Sequence, residues 1–140
     1  MVKKFVMVDL ELLADTSWRQ SMVEQADWDT YYAALIDDEP TPLAQVVRDM
    51  HDANILTCAY STRPEKWRQL TTEWLLKHNL LLDDLLLRPD DNYMRQELLK
   101  PFLVREFMEG DLTGVMLVID DLETSISAFK AAGLNVMRPA

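Results

Sequence analysis

The sequence predicts a three-layer α/β fold, a parallel sheet with helices on both faces. Three observations point to it. Short apolar segments run without alternation, as strands covered on both faces do. Amphipathic stretches of helical period lie between them. The two kinds of segment alternate along the chain, which calls for crossover connections and parallel strands.

The first strand is Lys4–Val8 (KFVMV), and Asp9 and Glu11 follow it directly. Residues 16–40 come next and are too long for a simple strand-to-helix loop. They carry Trp18, Trp28, Tyr31 and Tyr32 among acidic residues and read as a small, mostly helical cap insertion above the strand ends, the aromatics suiting either a small cap core or, for one of them, stacking on a base. Pro42–Ala53 forms the first helix, with Leu43, Val46, Val47 and Met50 on one face. Ile55–Tyr60 (ILTCAY) is the second strand. A helix over Pro64–His78 follows, with Pro64 in its first turn and Trp67, Leu70, Thr71, Trp74 and Leu75 along one side. Leu85–Leu87 is a weaker strand before Arg88-Pro89, and the next helix, Glu97–Met108, carries Leu98, Leu99, Phe102, Leu103 and Phe107. Val115–Ile119 (VMLVI) is a strand, and Glu123–Ala132 a helix with Ile126, Phe129 and Ala132 inward and Gly133 as its stop. Leu134–Met137 is the last strand.

A chain of 140 residues, 49% hydrophobic and 27% charged, suits a single globular domain with its own core. No signal peptide and no membrane-length apolar run is legible, and the single cysteine, Cys58, fits a reducing cytoplasm. The net charge is −10 and unevenly spread. Residues 1–60 hold 4 basic against 11 acidic side chains and residues 106–140 hold 2 against 6, whereas residues 63–105 hold 8 against 7. Such a surface repels long polyanions, so no extended DNA-binding face is expected. A small phosphorylated ligand remains compatible with it.

In open parallel sheets ligands sit outside the carboxyl ends of the strands. The residues delivered there are Asp9 and Glu11, then Ser61-Thr62-Arg63, then Asp120-Asp121, with Lys100 at the approach to the helix before the last pair. Carboxylates crowded together need a cation, and Mg²⁺ accepts a few of them while leaving places for phosphate oxygens. In that setting Asp9 suits a nucleophile toward phosphorus, Glu11 a proton donor, and Ser61 and Lys100 binders of the phosphoryl oxygens. Cys58, in mid-strand with no histidine beside it, reads as a small buried hydrophobe. His51 and His78 at helix ends suit contacts with terminal carbonyls, Lys66 reads as a solvated surface cation, and Trp67 and Trp74 as core.

The order Asp-x-acid, Ser, Lys, Asp-Asp resembles the haloacid dehalogenase superfamily of phosphatases, a Rossmann-like fold. DWDTYYAALIDDEPTP (27–42), STRPEKWRQLTTEWLLKHNL (61–80), LLLRPDDNYMRQELLK (85–100) and VIDDLETSISAFKAAGLNV (118–136) are most similar to the phosphatase domain of phage polynucleotide kinases and its free-standing relatives. The resemblance implies Asp9 as phosphorylated nucleophile, Glu11 as acid and base, and Ser61 and Lys100 as phosphate binders. It implies Mg²⁺ on Asp9, Glu11, Asp120 and Asp121, with Thr62, Arg63 and Arg68 near the substrate. The family's first motif usually runs Asp-x-Asp-Gly-Thr, whereas here it is Asp9-Leu10-Glu11-Leu12-Leu13. Leu12 therefore stands where a glycine lets the chain turn, and a positive φ there would be strained.

Two functions are consistent with these features. One is a Mg²⁺-dependent phosphatase acting on a nucleotide or a nucleic-acid 3′-phosphate. The other is a catalytically weakened scaffold of the same fold that binds a protein partner through its acidic surface.

Overall fold

Strands that are apolar on every side chain need cover on both faces, and the computed structural model provides it. Residues 3–25 and 27–139 are described, so Ala26 of the expected insertion lies outside the described residues. In chain order the strands are β1 (Phe5–Asp9), β2 (Ala14–Asp15), β3 (Glu39–Pro40), β4 (Leu56–Pro64), β5 (Asp84–Arg88), β6 (Val115–Ile119) and β7 (Val136–Met137). The α-helices are α1 (Gln20–Glu24), α2 (Trp28–Ala33), α3 (Pro42–Asp52), α4 (Arg68–Lys77), α5 (Gln96–Phe107) and α6 (Glu123–Ala131). Five strands pair in parallel, as the sequence predicts; their order is β5-β4-β1-β6-β7, with β1 at the centre.

The alternation of β1 divides the core. Val6 and Val8 pack with Ala44 and Val47 of α3 and Trp74 and Leu75 of α4 on one face. Met7 packs on the other face with Cys58, Tyr60, Val104, Val118 and Phe129, in the layer of α5 and α6. Cys58 is fully buried, and burial pushes its thiol pKa up, which leaves it an inert apolar filler. Gly133, at φ +85°, takes the left-handed conformation that ends α6.

Three expectations change. Pro64 does not open a helix. Its φ of −63° is compatible with both states, but at ψ 148° it pairs with Arg88 as the last residue of β4, and α4 begins at Arg68 after a 3₁₀ turn over Glu65–Trp67. Val46 and Leu98, assigned to apolar helix faces, are exposed, because Ala44 and Val47 of α3 and Leu99 and Leu103 of α5 take the inward positions.

The third concerns Leu12 and Leu13. The chain leaves β1 in a 3₁₀ turn over Leu10–Leu12, and Leu13 caps it at φ −89°, so no left-handed residue is needed. Neither leucine is strained. Leu13 is buried in the α3/α4 core and Leu12 packs against it partly buried, where a threonine and a glycine would supply less apolar surface. Thr41 fastens this turn, donating from its N–H to the Leu13 carbonyl at 2.9 Å and from its hydroxyl to the Leu12 carbonyl at 2.5 Å. The departure from the family's motif is a packing substitution, and it leads into the short antiparallel pairing of β2 with β3.

Between β2 and β3 lie α1, α2 and 3₁₀ turns over Ser17–Arg19 and Ala34–Asp37. A buried ion pair organises them. Asp38 accepts from Arg19 Nε at 2.9 Å and Nη2 at 2.7 Å and from Trp18 Nε1 at 2.8 Å, and its carbonyl accepts from Trp74 Nε1 at 2.9 Å. Arg19 also donates to the Tyr31 carbonyl at 2.7 Å, and its guanidinium lies 4.1 Å from the Tyr31 ring centroid. Among the described residues no helix is long and apolar enough to cross a membrane.

Two stability effects follow. Leu13→Ala is expected to destabilise the fold by about 2–5 kcal/mol in urea unfolding, the cost of a cavity in a closed core. Asp38→Asn, which strands the buried Arg19 charge, is expected to cost about 3–5 kcal/mol in the same measurement.

Candidate active site

Asp9 ends β1 between β4 and β6, level with Tyr60 and one residue past the end of β6 at Ile119, while β4 runs on to Pro64. It is only 4% exposed. Its Oδ1 accepts the Glu11 N–H at 3.0 Å, a bond made by the 3₁₀ turn, and its Oδ2 accepts from Lys100 Nζ at 2.7 Å. Lys100 reaches up from α5, where it is the fifth residue rather than the start of the helix, and Pro101 after it withholds one backbone donor from the helix ladder. The same ammonium lies 3.2 Å from Asp120 Oδ2. Asp120 follows β6. Its Oδ2 also accepts the Tyr60 hydroxyl at 2.5 Å and its Oδ1 the Leu122 N–H at 2.9 Å.

These contacts set the charge states. Burial is the largest influence on Asp9 and pushes its pKa up to about 6; Lys100 pulls it down, while Asp120 and Glu11 push it further up. For Lys100, burial lowers the pKa, but Asp9 and Asp120 outweigh it and hold the ammonium above its ordinary value. Tyr60 is pushed well above 10 by burial, then by Asp9 and Asp120, so it is a neutral donor.

A second group adjoins the first. Glu11 Oε1 accepts from the Ser61 hydroxyl at 2.6 Å and from Arg63 Nε at 3.1 Å, and Oε2 accepts from Arg63 Nη2 at 3.0 Å. Arg63 is buried, and its remaining nitrogen donates to Thr71 Oγ1 at 3.1 Å. The whole guanidinium thus serves Glu11 and α4. Burial alone would raise the Glu11 pKa, but the charge and hydrogen bonds of Arg63, with that of Ser61, bring it below the ordinary value. The ladder between β4 and β5 slips between Tyr60 and Pro64, which frees Ser61 and Arg63 to point at Glu11.

Other residues singled out in the sequence lie apart. Arg68 is paired with Glu65 one turn away on the half-exposed helix surface. Thr62 lines a cleft of about 540 Å³ beside Glu11, together with Trp28, Tyr31, Tyr32 and Arg88. Asp121 is exposed and borders a separate depression with Leu12 and Thr41. His78 leaves Nε2 without a partner, and its carbonyl accepts from Arg48.

No protein-family model and no curated protein sequence matches the chain. Solved structures do. A chain of the Pnkp1/Rnl/Hen1 RNA repair complex superposes with a TM-score of 0.78 at 19% identity, over 99% of this chain and 42% of that one. A haloacid dehalogenase-like family protein from Streptococcus pneumoniae gives 0.67 at 10% identity, over 96% and 83%. The fold is that of the haloacid dehalogenase-like hydrolases. The class C acid phosphatase from Bacillus anthracis, solved with tungstate, shares it with a TM-score of 0.59 at 16% identity, over 95% and 63%. This chain spans less than half the length of the repair-complex chains it matches.

Within this haloacid dehalogenase-like fold the Asp9 and Asp120 carboxylates converge on the Lys100 ammonium, and they are the hard oxygen donors at this strand edge that could hold Mg²⁺. Among the described residues no third His, Cys, Asp or Glu completes a metal-binding group. The Glu11 oxygens face Arg63 and Ser61, and Asp121 points to another depression, so neither joins the pair. The cleft residue Arg88 and the Asp120 partner Tyr60 carried no legible signal as site residues, whereas Tyr31 is one of the aromatics the sequence marks in the insertion. Tyr60 reads as the last apolar residue of a strand, and only the sheet order brings it to Asp120.

In the metal-free protein, ¹³C NMR should show the Asp9 carboxyl titrating near pH 6, with Lys100→Met moving the midpoint higher. Glu11→Gln, which leaves Arg63 buried without its anion, is expected to cost about 3 kcal/mol of stability.

Proposed function

We propose that the chain is a Mg²⁺-dependent phosphomonoester hydrolase, with Asp9 as nucleophile and a nucleotide or nucleic-acid 3′-phosphate as substrate. The observation that carries this is the Lys100 ammonium set between Asp9 and Asp120, 2.7 and 3.2 Å from their oxygens. Lys100 neutralises a carboxylate that burial would otherwise protonate, and it stands where negative charge gathers on a phosphoryl group attacked by Asp9. Asp9 and Asp120 would hold the metal, which supplies Lewis-acid neutralisation of the phosphate oxygens. The similarity to a chain of an RNA repair complex and the sequence resemblance support the nucleic-acid substrate class. The α1–α2 segment is read as the cap, and the unpaired Cys58 thiol agrees with a cytoplasmic setting.

The chemistry runs in two steps. An Asp9 oxygen forms a bond to phosphorus as the ester P–O bond breaks, and the departing alkoxide takes the proton of a protonated Glu11 carboxyl, leaving Glu11 as the anion. Water then attacks the aspartyl-phosphate, releasing phosphate and restoring Asp9. Glu11, held as an anion by Arg63, is suited to accept the proton of that water. Donating a proton in the first step requires it to be protonated against Arg63. Ser61 must likewise turn its hydroxyl from Glu11 to serve a phosphate oxygen.

That occupied Ser61–Glu11–Arg63 group favours one further reading, a weakened enzyme kept as a protein-binding scaffold. Hydrolysis of p-nitrophenyl phosphate and of 3′-phosphorylated oligonucleotides with Mg²⁺ decides between them. Turnover is expected, reduced by at least about 10³-fold in Asp9→Asn. Absence of turnover on any phosphomonoester, together with a stoichiometric protein complex that Asp9→Asn leaves intact, would establish the scaffold instead.

A further inference from the structure

The aromatic side of the cleft beside Glu11 is not used by the phosphoryl chemistry. Three rings form a run there. Tyr32 lies between Trp28 and Trp67, with centroids 6.1 and 5.9 Å away and interplanar angles of 26° and 31°. Tyr31 meets Trp28 edge-on at 83° and fixes the orientation of the indole. Tyr31 is itself anchored, by Arg19 below its ring. Trp28 ends the run and is 51% exposed, an amount of open indole that a core role does not explain. The cleft it lines measures about 540 Å³, within the usual span for small-ligand pockets, and reaches from α2 to Glu11.

The charges around this cleft are lopsided. On the aromatic side stands Arg88, whose guanidinium is fixed by the carbonyls of Thr62, Asn92 and Met94 at 3.0, 3.2 and 2.7 Å. An adjoining depression of about 470 Å³, which also borders Glu11, contains Asp15 and Glu39. Asp27 and Asp29 flank Trp28, and Asp29 is paired with Lys66 at 2.9 Å, so the cation fixed in the cleft wall is Arg88.

We propose that this cleft is a nucleoside pocket, in which the unpaired terminal base of the substrate stacks on Trp28 while its phosphate faces Asp9. The inference rests on the hydrolase reading for the position of the phosphate, but the stacking site stands on the cleft alone. Stacking on an aromatic face is indifferent to base identity, so the pocket accepts any of the four bases. A base already paired in a duplex must first be freed, so single-stranded ends are preferred over blunt ones.

The test pairs binding with turnover. Calorimetry with adenosine, which has no phosphate, is expected to show binding that weakens about 10- to 100-fold in Trp28→Ala and is largely restored in Trp28→Phe. In parallel, the ratio of kcat/KM for adenosine 3′-monophosphate to that for glycerol 2-phosphate is expected to fall by a similar factor in Trp28→Ala. Circular dichroism checks that the variant, altered at a half-exposed position, is folded. Adenosine binding that is absent, or unchanged in Trp28→Ala, overturns the pocket even if phosphomonoesters are hydrolysed. Trp28-dependent adenosine binding without any hydrolysis upholds the pocket and removes the hydrolase reading.

Discussion

Two aspartates at the ends of adjacent parallel strands cannot both be buried and ionised without a cation between them. Lys100 supplies it, and much of the architecture serves that placement. β1 and β6 must be neighbours for Asp9 and Asp120 to meet. α5 must cross the sheet face so that its fifth residue arrives beneath them. Tyr60 adds an uncharged donor from β4, which removes more of the desolvation cost of Asp120. The site is therefore a property of strand order rather than of any one segment.

The neighbouring Glu11 group follows a different logic. Its charge is matched by one buried arginine whose donors are divided between the carboxylate and Thr71 of α4. This joins the turn after β1 to α4, and Arg63 acts as a clamp rather than as a ligand-facing cation. The longer glutamate side chain and the clamp belong together, because the bidentate geometry requires the carboxylate to reach β4.

The sequence made the sheet and the order of its chemistry legible, because continuous apolar strands and the residues following them are local features. Asp9, Ser61, Lys100 and Asp120 could be collected that way. What stayed hidden depended on distance in space. Leu12 and Leu13 look like damage to a glycine-containing turn, yet a 3₁₀ exit from β1 makes Leu13 a core residue. Asp121 looks equivalent to Asp120, but successive residues leaving a strand diverge, and only the first faces Lys100. Pro64 reads equally as a helix opener or a strand end, and pairing with Arg88 decides it. Nothing local marks Arg19 and Asp38 as partners 19 residues apart.

That last pair bears on how ligands come and go. Asp38 is tied at once to Arg19, Trp18 and, through its carbonyl, Trp74 of α4, while Lys77 donates to the Ile36 carbonyl at 3.1 Å. The segment over the strand ends is thus riveted to the sheet's own helix layer, and swinging it as a body would leave the buried Trp74 indole N–H without its acceptor. A roof fixed in this way leaves lateral entry as the route in and out.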